Sequence, residues 1–409
     1  MERPKIKFLI LTLGFNRPKS LERLLDSVQK LEPADLSADL LVSLDGGGDP
    51  ECVEVAQRVD WKYGDFQVAV QPERMGLQKH ILSATDRVGD YDAIVVLEDD
   101  LTVSPWALHF CKQAYDEFTD DAGIAQISLY ASALNEFTNM PFRPVDYGFD
   151  NWFCRVPSSW GQMYTKKQWL AYREWLESGK PALDLNAYPS VINYWEHSWK
   201  TDFSRYISSQ SLYVVCPRVS LSTNHGDPGQ NYNNNEKDIE VPLDLIKRSY
   251  RFAHIGDTDA LYDEWFEPLP QTFNHPVLQG HEFEVDLYGV KKLPHIKPDY
   301  LLSSKKCSHP ICSFSMELVP FEMNVRLERE GSGQHIISFG KKEDFQQEGW
   351  AHEYLSRTIP RGYKIIRWNE GLTLGRNQIR GGVRYRIGNA LLFPLNLCRA
   401  LVSKLRAKP

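Results

Sequence analysis

The first 130 residues alternate between short apolar runs and longer segments with helical spacing. Four continuous apolar runs, at residues 7–13, 40–44, 66–70 and 93–97, have the length of β-strands. After Pro18, leucines and a valine recur at three- and four-residue steps, which predicts an amphipathic helix. Strands that are apolar throughout and are linked by helices predict a parallel sheet covered by helices on both faces.

Further elements follow the same alternation. We predict a helix over residues 76–88, another from residue 105 and a strand over residues 124–129. Polar clusters follow three of the strands, at residues 12–17, 45–49 and 98–100. Because ligands bind outside the carboxyl ends of the strands in such sheets, this shared location predicts a binding site.

Composition excludes several classes of protein. Of the 409 residues, 42% are hydrophobic and 25% charged, which is ordinary globular usage, and the net charge of −7 argues against a general nucleic-acid binder. The seven cysteines are scattered rather than paired in a disulfide framework, so we expect a cytoplasmic protein. No apolar run approaches the roughly 20 residues of a membrane span.

Glu98-Asp99-Asp100 is the sharpest chemical feature. Three consecutive carboxylates at the end of a buried strand repel one another, and a hard cation such as Mg²⁺ or Mn²⁺ would neutralise them and bridge to phosphate oxygens. The alternative is that Asp100 caps a following helix. Asp45, which lies among glycines, is either a turn residue or an acceptor for a nucleotide base or ribose.

These motifs together resemble the nucleotide-sugar half of GT-A glycosyltransferases, both the bacterial family 2 enzymes and the N-acetylglucosaminyltransferase I type. The resemblance is carried by Ile10-Leu-Thr-Leu-Gly-Phe-Asn16-Arg17-Pro18, Ser43-Leu-Asp45-Gly46, Glu73-Arg-Met-Gly76-Leu77 and Val95-Val-Leu-Glu98-Asp99-Asp100-Leu101. Ser158-Ser-Trp160-Gly161-Gln-Met163 resembles the acceptor-side segment, and Pro217 to Gly226 resembles the strand and loop after the catalytic helix. The similarity covers about residues 5–235.

The resemblance implies an inverting, metal-dependent transferase with a GT-A fold. Asp100 would bind Mn²⁺ or Mg²⁺, and His225, where the family usually has isoleucine, is our second metal candidate. Glu98 and Asp99 would face the ribose and the donor sugar. The candidates for nucleotide-sugar binding are Thr12, Asn16, Arg17, Asp45, Arg74, Gly76, Glu98, Asp99, Trp160 and Gly161.

For the catalytic base we select Asp202 first and Glu196 second. Both lie between the Trp-Gly block and the Asn224 block, where the family places its catalytic acid. A carboxylate on the face of the sugar opposite the diphosphate would take the acceptor proton. The alternative is that Asp202 is a surface helix residue paired with Lys200 or Arg205.

We divide the chain into three regions. Residues 1–290 would form the GT-A domain, with a nucleotide-sugar half at 1–130 and an acceptor half at 131–290, and residues 291–375 a small α+β appendage. In the second half we predict a short helix over residues 243–252 and strands over 311–327, 335–339 and 363–368.

Residues 376–409 contain eight Lys/Arg and no Asp/Glu. They have the spacing of a basic amphipathic helix, which suits either an anionic membrane surface or docking on protein.

Two functions are compatible with these observations. The first is a glycosyltransferase that moves a sugar from a nucleotide diphosphate sugar, most simply a UDP-sugar, to a glycan or lipid-linked acceptor in bacterial surface polysaccharide synthesis. It would work in the cytoplasm, with a peripheral position on the inner face of the membrane. The second is a non-catalytic carbohydrate-binding or scaffolding protein with the same fold.

Overall fold

The computed structural model describes residues 6–138, 140–179, 189, 198–229, 239–331 and 336–347. The α-helices are α1 (Pro18–Val28), α2 (Glu51–Gln57), α3 (Leu77–Thr85), α4 (Ala107–Phe118), α5 (Lys166–Glu177), α6 (Trp199–Ser209) and α7 (Glu322–Arg326). Short 3-10 helices cover Asp86–Asp90, Ile255–Asp257, Pro270–Thr272, Leu293–His295 and Lys342–Asp344.

The strands of the first half of the chain are β1 (Lys7–Gly14), β2 (Ser37–Leu44), β3 (Phe66–Val70), β4 (Ala93–Glu98), β5 (Leu101–Val103), β6 (Ile124–Ser128), β7 (Leu134–Asn135), β8 (Met140–Pro141), β9 (Asn151–Cys154) and β10 (Gln162–Thr165). Those of the second half are β11 (Tyr213–Pro217), β12 (Ser222–Asn224), β13 (Leu261–Tyr262), β14 (Phe283–Asp286), β15 (Tyr300–Ser303), β16 (Cys312–Ser315) and β17 (Ile336–Lys341).

Nine of these strands form one sheet in the order β13-β9-β11-β6-β10-β4-β1-β2-β3. From β3 to β4 all neighbours are parallel, while β10 enters antiparallel between β4 and β6. Almost every residue of β1, β2 and β4 is buried, as expected for strands covered on both faces. The predicted α/β architecture with a mostly parallel sheet is confirmed.

Helix α1 illustrates how the sequence pattern sets the packing. Proline at its first position suits a helix start, because an amide proton there would have no partner within the helix. Leu21, Leu24, Leu25 and Val28 form the predicted apolar stripe and are buried in the same core cluster as alternate residues of β1 and β2.

A two-stranded ribbon continues from the acidic triplet. β5 begins directly after Asp100 and pairs antiparallel with β12, with Leu101 opposite Asn224 and Val103 opposite Ser222. Helix α4 begins only at Ala107. The alternative in which Asp100 caps a helix is therefore wrong.

A second sheet has the strand order β14-β15-β17-β16. Strand β14 belongs to it, although β14 precedes residue 291, where the sequence places the start of the appendage. Lys305 Nζ lies 2.8 Å from Asp286 Oδ2, and both side chains are fully buried, so each charge depends on the other. Lys291 Nζ, also buried, lies 2.6 Å from Asp263 Oδ2.

Two of the predicted elements beyond residue 240 differ in the structure. The helix predicted over residues 243–252 is not formed, because Asp244 donates its backbone N–H to Ser220 O at 2.7 Å and accepts from Ile246 N at 3.1 Å. The strand predicted over 311–327 is confined to β16, since the side chain of Asn324 binds the backbone of residues 317 and 318 and α7 follows. The strand predicted at 335–339 is confirmed as β17.

The strand predicted at 363–368 and the tail at 376–409 lie outside the described residues. Within the described part of the chain, no helix combines the length and the apolar character needed to cross a bilayer.

We expect Glu322 to make stability depend on pH. Burial raises the pKa of Glu322 to about 7, although Tyr262 donates a hydrogen bond to its Oε1 at 2.6 Å. A raised carboxyl pKa contributes stability that is present below the unfolded value, near 4.5, and is lost as the pH rises through the folded value. Relative to Glu322→Gln, the wild-type protein should lose on the order of 3 kcal/mol between pH 4.5 and 8. Urea unfolding at several pH values measures the difference, and parallel profiles would contradict it.

Candidate active site

The predicted polar clusters lie together at one edge of the sheet. Leu13 of β1 is opposite Ser43 of β2 on one side and Glu98 of β4 on the other. Asp45 and the acidic triplet therefore follow two strands that share a neighbour. This edge holds the carboxyl ends of the parallel strands, where such sheets bind ligands.

Asp45 fixes the loop between β3 and α3. Its Oδ1 accepts from Met75 N at 2.8 Å, and its Oδ2 accepts from Gly76 N at 2.9 Å. Gly76 has a φ of 78°, a left-handed conformation that favours glycine. At Gly46, a Cβ would lie 2.3 Å from the carbonyl carbon of Glu73, so the close approach of the two loops also requires glycine.

Arg17 is the cation that faces the acidic triplet. Its Nε donates to Asp99 Oδ2 at 3.2 Å and its Nη2 donates to Asp99 Oδ1, a bidentate pair. The same Nη2 also donates to Asp100 Oδ2 at 3.3 Å. Burial disfavours the charged guanidinium, but the carboxylates of Asp99 and Asp100 outweigh this effect and hold the pKa of Arg17 above its ordinary value.

The triplet carries more negative charge than its surroundings readily accept. Desolvation raises the pKa of Glu98 to about 8, and the carboxylates of Asp100 and Asp99 add to this increase. Desolvation likewise raises the pKa of Asp99 to about 6, even though Arg17 opposes the shift. A further positive charge at this position would favour the ionised forms of both groups.

Asp100 retains an unused acceptor. Its Oδ1 is buried and has no hydrogen-bond partner among the described residues. This fits a hard divalent cation, which binds through one or two carboxylates and takes its remaining ligands from phosphates and water. No group of three or more His, Cys, Asp or Glu side chains in the described ranges is arranged as a complete metal site.

His225 lies beside Asp100. Its backbone N–H donates to Asp100 O at 3.0 Å, its Nε2 is 2.9 Å from Thr102 Oγ1, and its Nδ1 is 3.5 Å from Glu240 Oε1. Burial, together with the charge of Arg23, lowers the pKa of His225, although nearby carboxylates oppose this. A neutral imidazole is the form that binds metals, so its role as a second ligand stays a prediction.

The segment after His225 is held against α1. Asp227 Oδ2 accepts from Ser20 Oγ at 2.8 Å and from Arg23 Nη2, while Asp227 O accepts from Arg17 Nη1 at 3.2 Å. Gly229 packs so closely on Arg17 that a Cβ would lie 3.1 Å from Nη1. Arg17 thus connects the acidic triplet to this segment.

The Trp-Gly block lies beside Lys200. Gly161 has a φ of 90°, and a Cβ there would be 2.9 Å from Ser222 Oγ, so the turn requires glycine. The ring of Trp160 packs edge-on against Tyr130, with centroids 4.6 Å apart, and Lys200 Nζ lies 5.8 Å from its centroid. Lys200 Nζ also donates to Glu136 Oε2 at 2.9 Å.

Asp202 lies in the first turn of α6, which Ser198 caps by accepting from Lys200 N. The residue is 9% exposed, and its Oδ1 lies 3.5 Å from Arg205 Nη1. The expected pairing with Arg205 is therefore present, but the residue is buried rather than on the surface. Its role as base stays a prediction. Glu196 lies outside the described residues.

The remaining candidates differ in their surroundings. Thr12 is fully buried and shares the apolar face of the sheet with Val42 and Leu97, its partners in the register. Asn16 is exposed. Arg74 stacks on the ring of Phe15 at 5.0 Å.

Sequence reasoning missed three polar residues near the site. His80 Nε2 lies 2.8 Å from Ser43 Oγ, and burial lowers its pKa. His80, Ile81 and Ala84 form the buried face of α3, and this helical spacing could have shown that His80 points to the sheet. The other two residues are Lys200 and Glu136. They are 64 positions apart in the chain, so no local sequence pattern could have predicted their contact.

Comparison with known proteins gives a limited likeness. No family model matches the sequence, and none of the curated proteins does. Among solved structures, S. aureus TarS 1–349 in complex with UDP-GlcNAc is 13% identical with a TM-score of 0.36, and the match covers 55% of this chain and 60% of TarS 1–349. The structure of S. aureus TarS 1–349 in complex with UDP is 13% identical with a TM-score of 0.34, and the match covers 53% of this chain and 60% of TarS 1–349. The chain thus spans about 60% of the length of that neighbour, and the chemistry of the site rests on its own residues.

Removing Arg17 should destabilise the protein and open a place for another cation. Arg17→Met leaves two largely buried carboxylates without a counter-charge, so we expect a loss of about 3 kcal/mol at neutral pH. Mn²⁺ should then raise the melting temperature of the variant more than that of the wild type. Arg58→Met, which removes a solvent-exposed arginine that contacts Glu22 and Glu54, is the control. Equal responses of Arg17→Met and the wild type to Mn²⁺ would contradict the assignment.

Proposed function

We propose that this protein is an inverting, divalent-metal-dependent glycosyltransferase that uses a nucleotide diphosphate sugar, most simply a UDP-sugar. The observation that supports this best is the triplet Glu98-Asp99-Asp100, with one unpartnered, buried oxygen on Asp100, at the carboxyl edge of a parallel sheet. A sugar diphosphate presents the oxygens and the negative charge that such a site, once it holds a cation, would bind.

The donor would lie along the ends of β1, β2 and β4. Asp100, and with it His225, would hold Mn²⁺ or Mg²⁺, which when bound acts as a Lewis acid on the leaving diphosphate. The loop that Asp45 fixes would bind the nucleoside, and Arg17 is the side chain able to exchange its contacts with the triplet for a phosphate oxygen. Glu98 is half-buried and would accept from hydroxyl groups of the ribose.

Asp202 would act as the general base, with Glu196 as the second candidate. The residue is on α6, on which Lys200 also lies, and the charge of Lys200 lowers the pKa of Glu98. We propose that the carboxylate of Asp202 lies on the face of the donor sugar opposite the diphosphate. A carboxylate there would take the proton of the acceptor hydroxyl while the sugar leaves the diphosphate, which inverts the anomeric carbon.

We further propose a glycan or lipid-linked acceptor, with the basic tail of residues 376–409 as a contact to a membrane. Surface polysaccharide synthesis on the cytoplasmic face of a bacterial membrane combines these features. The charge of the tail, eight basic residues and no acidic ones, supports this part of the proposal.

Asp100→Ala should abolish metal-dependent binding of UDP. The change removes the unpartnered oxygen and leaves the Arg17–Asp99 pair in place, so the fold should persist. Calorimetric titration of UDP with and without Mn²⁺ should show an increase in affinity with metal for the wild type and none for the variant. Asp116→Ala, which changes a solvent-exposed aspartate on α4, is the control. Unchanged metal-dependent affinity in Asp100→Ala would refute the metal role.

Asp202→Asn should preserve donor binding and lower transfer by about 10²–10⁴-fold, because it removes the proton acceptor and keeps the shape. Arg205→Gln removes the ion-pair partner of Asp202 and keeps the carboxylate, so it separates catalysis from structure. Transfer is measured with purified protein against a panel of nucleotide sugars, with Glu196→Gln in parallel. Wild-type transfer by Asp202→Asn would exclude Asp202, and equal losses in Asp202→Asn and Arg205→Gln would indicate a structural role.

A further inference from the structure

Two adjacent aliphatic residues, Leu245 and Ile246, expose their side chains to solvent. Leu245 is 67% exposed and Ile246 is 65% exposed. Val219, 40% exposed, directly precedes Ser220, which forms a β-bridge with Leu243. Isolated exposed aliphatic residues are common, but neighbouring ones on one small surface mark an interaction site more often.

This tip, which we define as residues 243–247, is held rigidly. Asp244 donates its N–H to Ser220 O at 2.7 Å, and Asp244 O accepts from Ser104 Oγ. Trp106 Nε1 donates to Leu245 O at 3.1 Å. These contacts fix the backbone at Asp244 and Leu245, and Gln113 Nε2 donates to Arg248 O at 3.2 Å beyond Ile246. Little conformational entropy is therefore lost when the two aliphatic side chains bury against a partner.

The charges and the aromatic ring around the tip fit an anionic bilayer surface. Arg248 Nε lies 2.7 Å from Asp244 Oδ2. Lys247 belongs to the tip, and Arg251, an exposed residue whose guanidinium packs on the ring of Phe149 at 4.7 Å, follows four positions later in the chain. Lys247 Nζ lies 5.7 Å from the ring centroid of Trp106. Tryptophan and aliphatic side chains flanked by basic residues are typical of segments that insert into the headgroup region.

The ribbon of β5 and β12 connects the tip to the acidic triplet. Asp100 directly precedes β5, and Ser104, which binds the tip, directly follows it. Three residues of strand with one at each end span about 13 Å. A bilayer in contact with the tip would therefore lie close to the site where the acceptor hydroxyl must arrive.

We propose that the tip at residues 243–247 seats the protein on an anionic membrane surface and presents the site to a lipid-linked acceptor. The seating itself is independent of the proposed transfer reaction, whereas the choice of acceptor rests on it. The aliphatic pair Leu245 and Ile246 enters the headgroup region, and Lys247 and Arg251 contact anionic lipid.

Vesicle sedimentation of the full chain, in the absence of nucleotide, tests whether the tip binds the membrane. The vesicles are phosphatidylcholine alone or an equimolar mixture with phosphatidylglycerol. Leu245→Ser/Ile246→Ser should lower the partition coefficient on mixed vesicles by about tenfold or more, since two aliphatic side chains no longer leave water. Lys247→Glu/Arg251→Glu should lower it on mixed vesicles only. The basic tail of residues 376–409 is the same in every variant, so its contribution to vesicle binding is common to all of them.

The matched control is Val319→Ser/Leu327→Ser, which removes two side chains of similar exposure, 53% and 55%, from the second sheet region. It should bind vesicles as the wild type does.

The proposal fails if the tip variant has the same partition coefficient as the wild type, or if the control variant loses as much vesicle binding as the tip variant. It also fails if light scattering shows that the wild type dimerises and the tip variant does not, because a second copy of the chain then covers the tip. UDP titration of the tip variant should be unchanged, so a failure here is distinguishable from a failure of the proposed function.

Discussion

Three carboxylates at the end of a buried strand can be held together only if positive charge faces them. Glu98, Asp99 and Asp100 follow one another at the end of β4, and desolvation together with mutual repulsion raises the pKa values of the first two. The guanidinium of Arg17, from the turn between β1 and α1, pairs with Asp99 and Asp100, and the charge of Lys200 also acts on Glu98. Arg17 also accounts for the position of the segment after His225, because Asp227 O accepts from the same guanidinium.

The charge balance at the triplet bears on the proposed binding of a cation together with the donor. One arginine faces three acidic groups, of which Glu98 is largely protonated at neutral pH because burial raises its pKa to about 8. Without ligand, Arg17 offsets one of the two negative charges of Asp99 and Asp100. A diphosphate adds negative charge to this arrangement, which only a further cation can offset. Among the described residues, Asp100 Oδ1 is buried without a hydrogen-bond partner.

The sequence predicted the parallel part of the sheet well, since continuous apolar runs leave little freedom in placing a buried strand. Residues 66–70 form a strand with the predicted limits, and the predicted location of Asp45 and the triplet at one edge follows from strand direction alone. The antiparallel entry of β10 between β4 and β6 was not predicted, because only contacts between distant segments determine it. For the same reason the sequence could not show that Lys200 reaches Glu136, or that tertiary hydrogen bonds keep residues 243–252 from forming a helix.

The ribbon of β5 and β12 is connected by hydrogen bonds to the acidic triplet at one end and to the tip at the other. At one end, Leu101 pairs with Asn224, and the backbone N–H of His225 donates to Asp100 O, so the acidic triplet and the segment after β12 are fixed to each other. At the other end, Ser104 donates to Asp244 O and so fixes the tip. A short antiparallel ribbon with one extra contact at each end behaves as a stiff unit, because shifting its register by one residue would turn every side chain to the opposite face. A ligand that displaces Asp227 would therefore have to break its contacts with Arg17, Ser20 and Arg23.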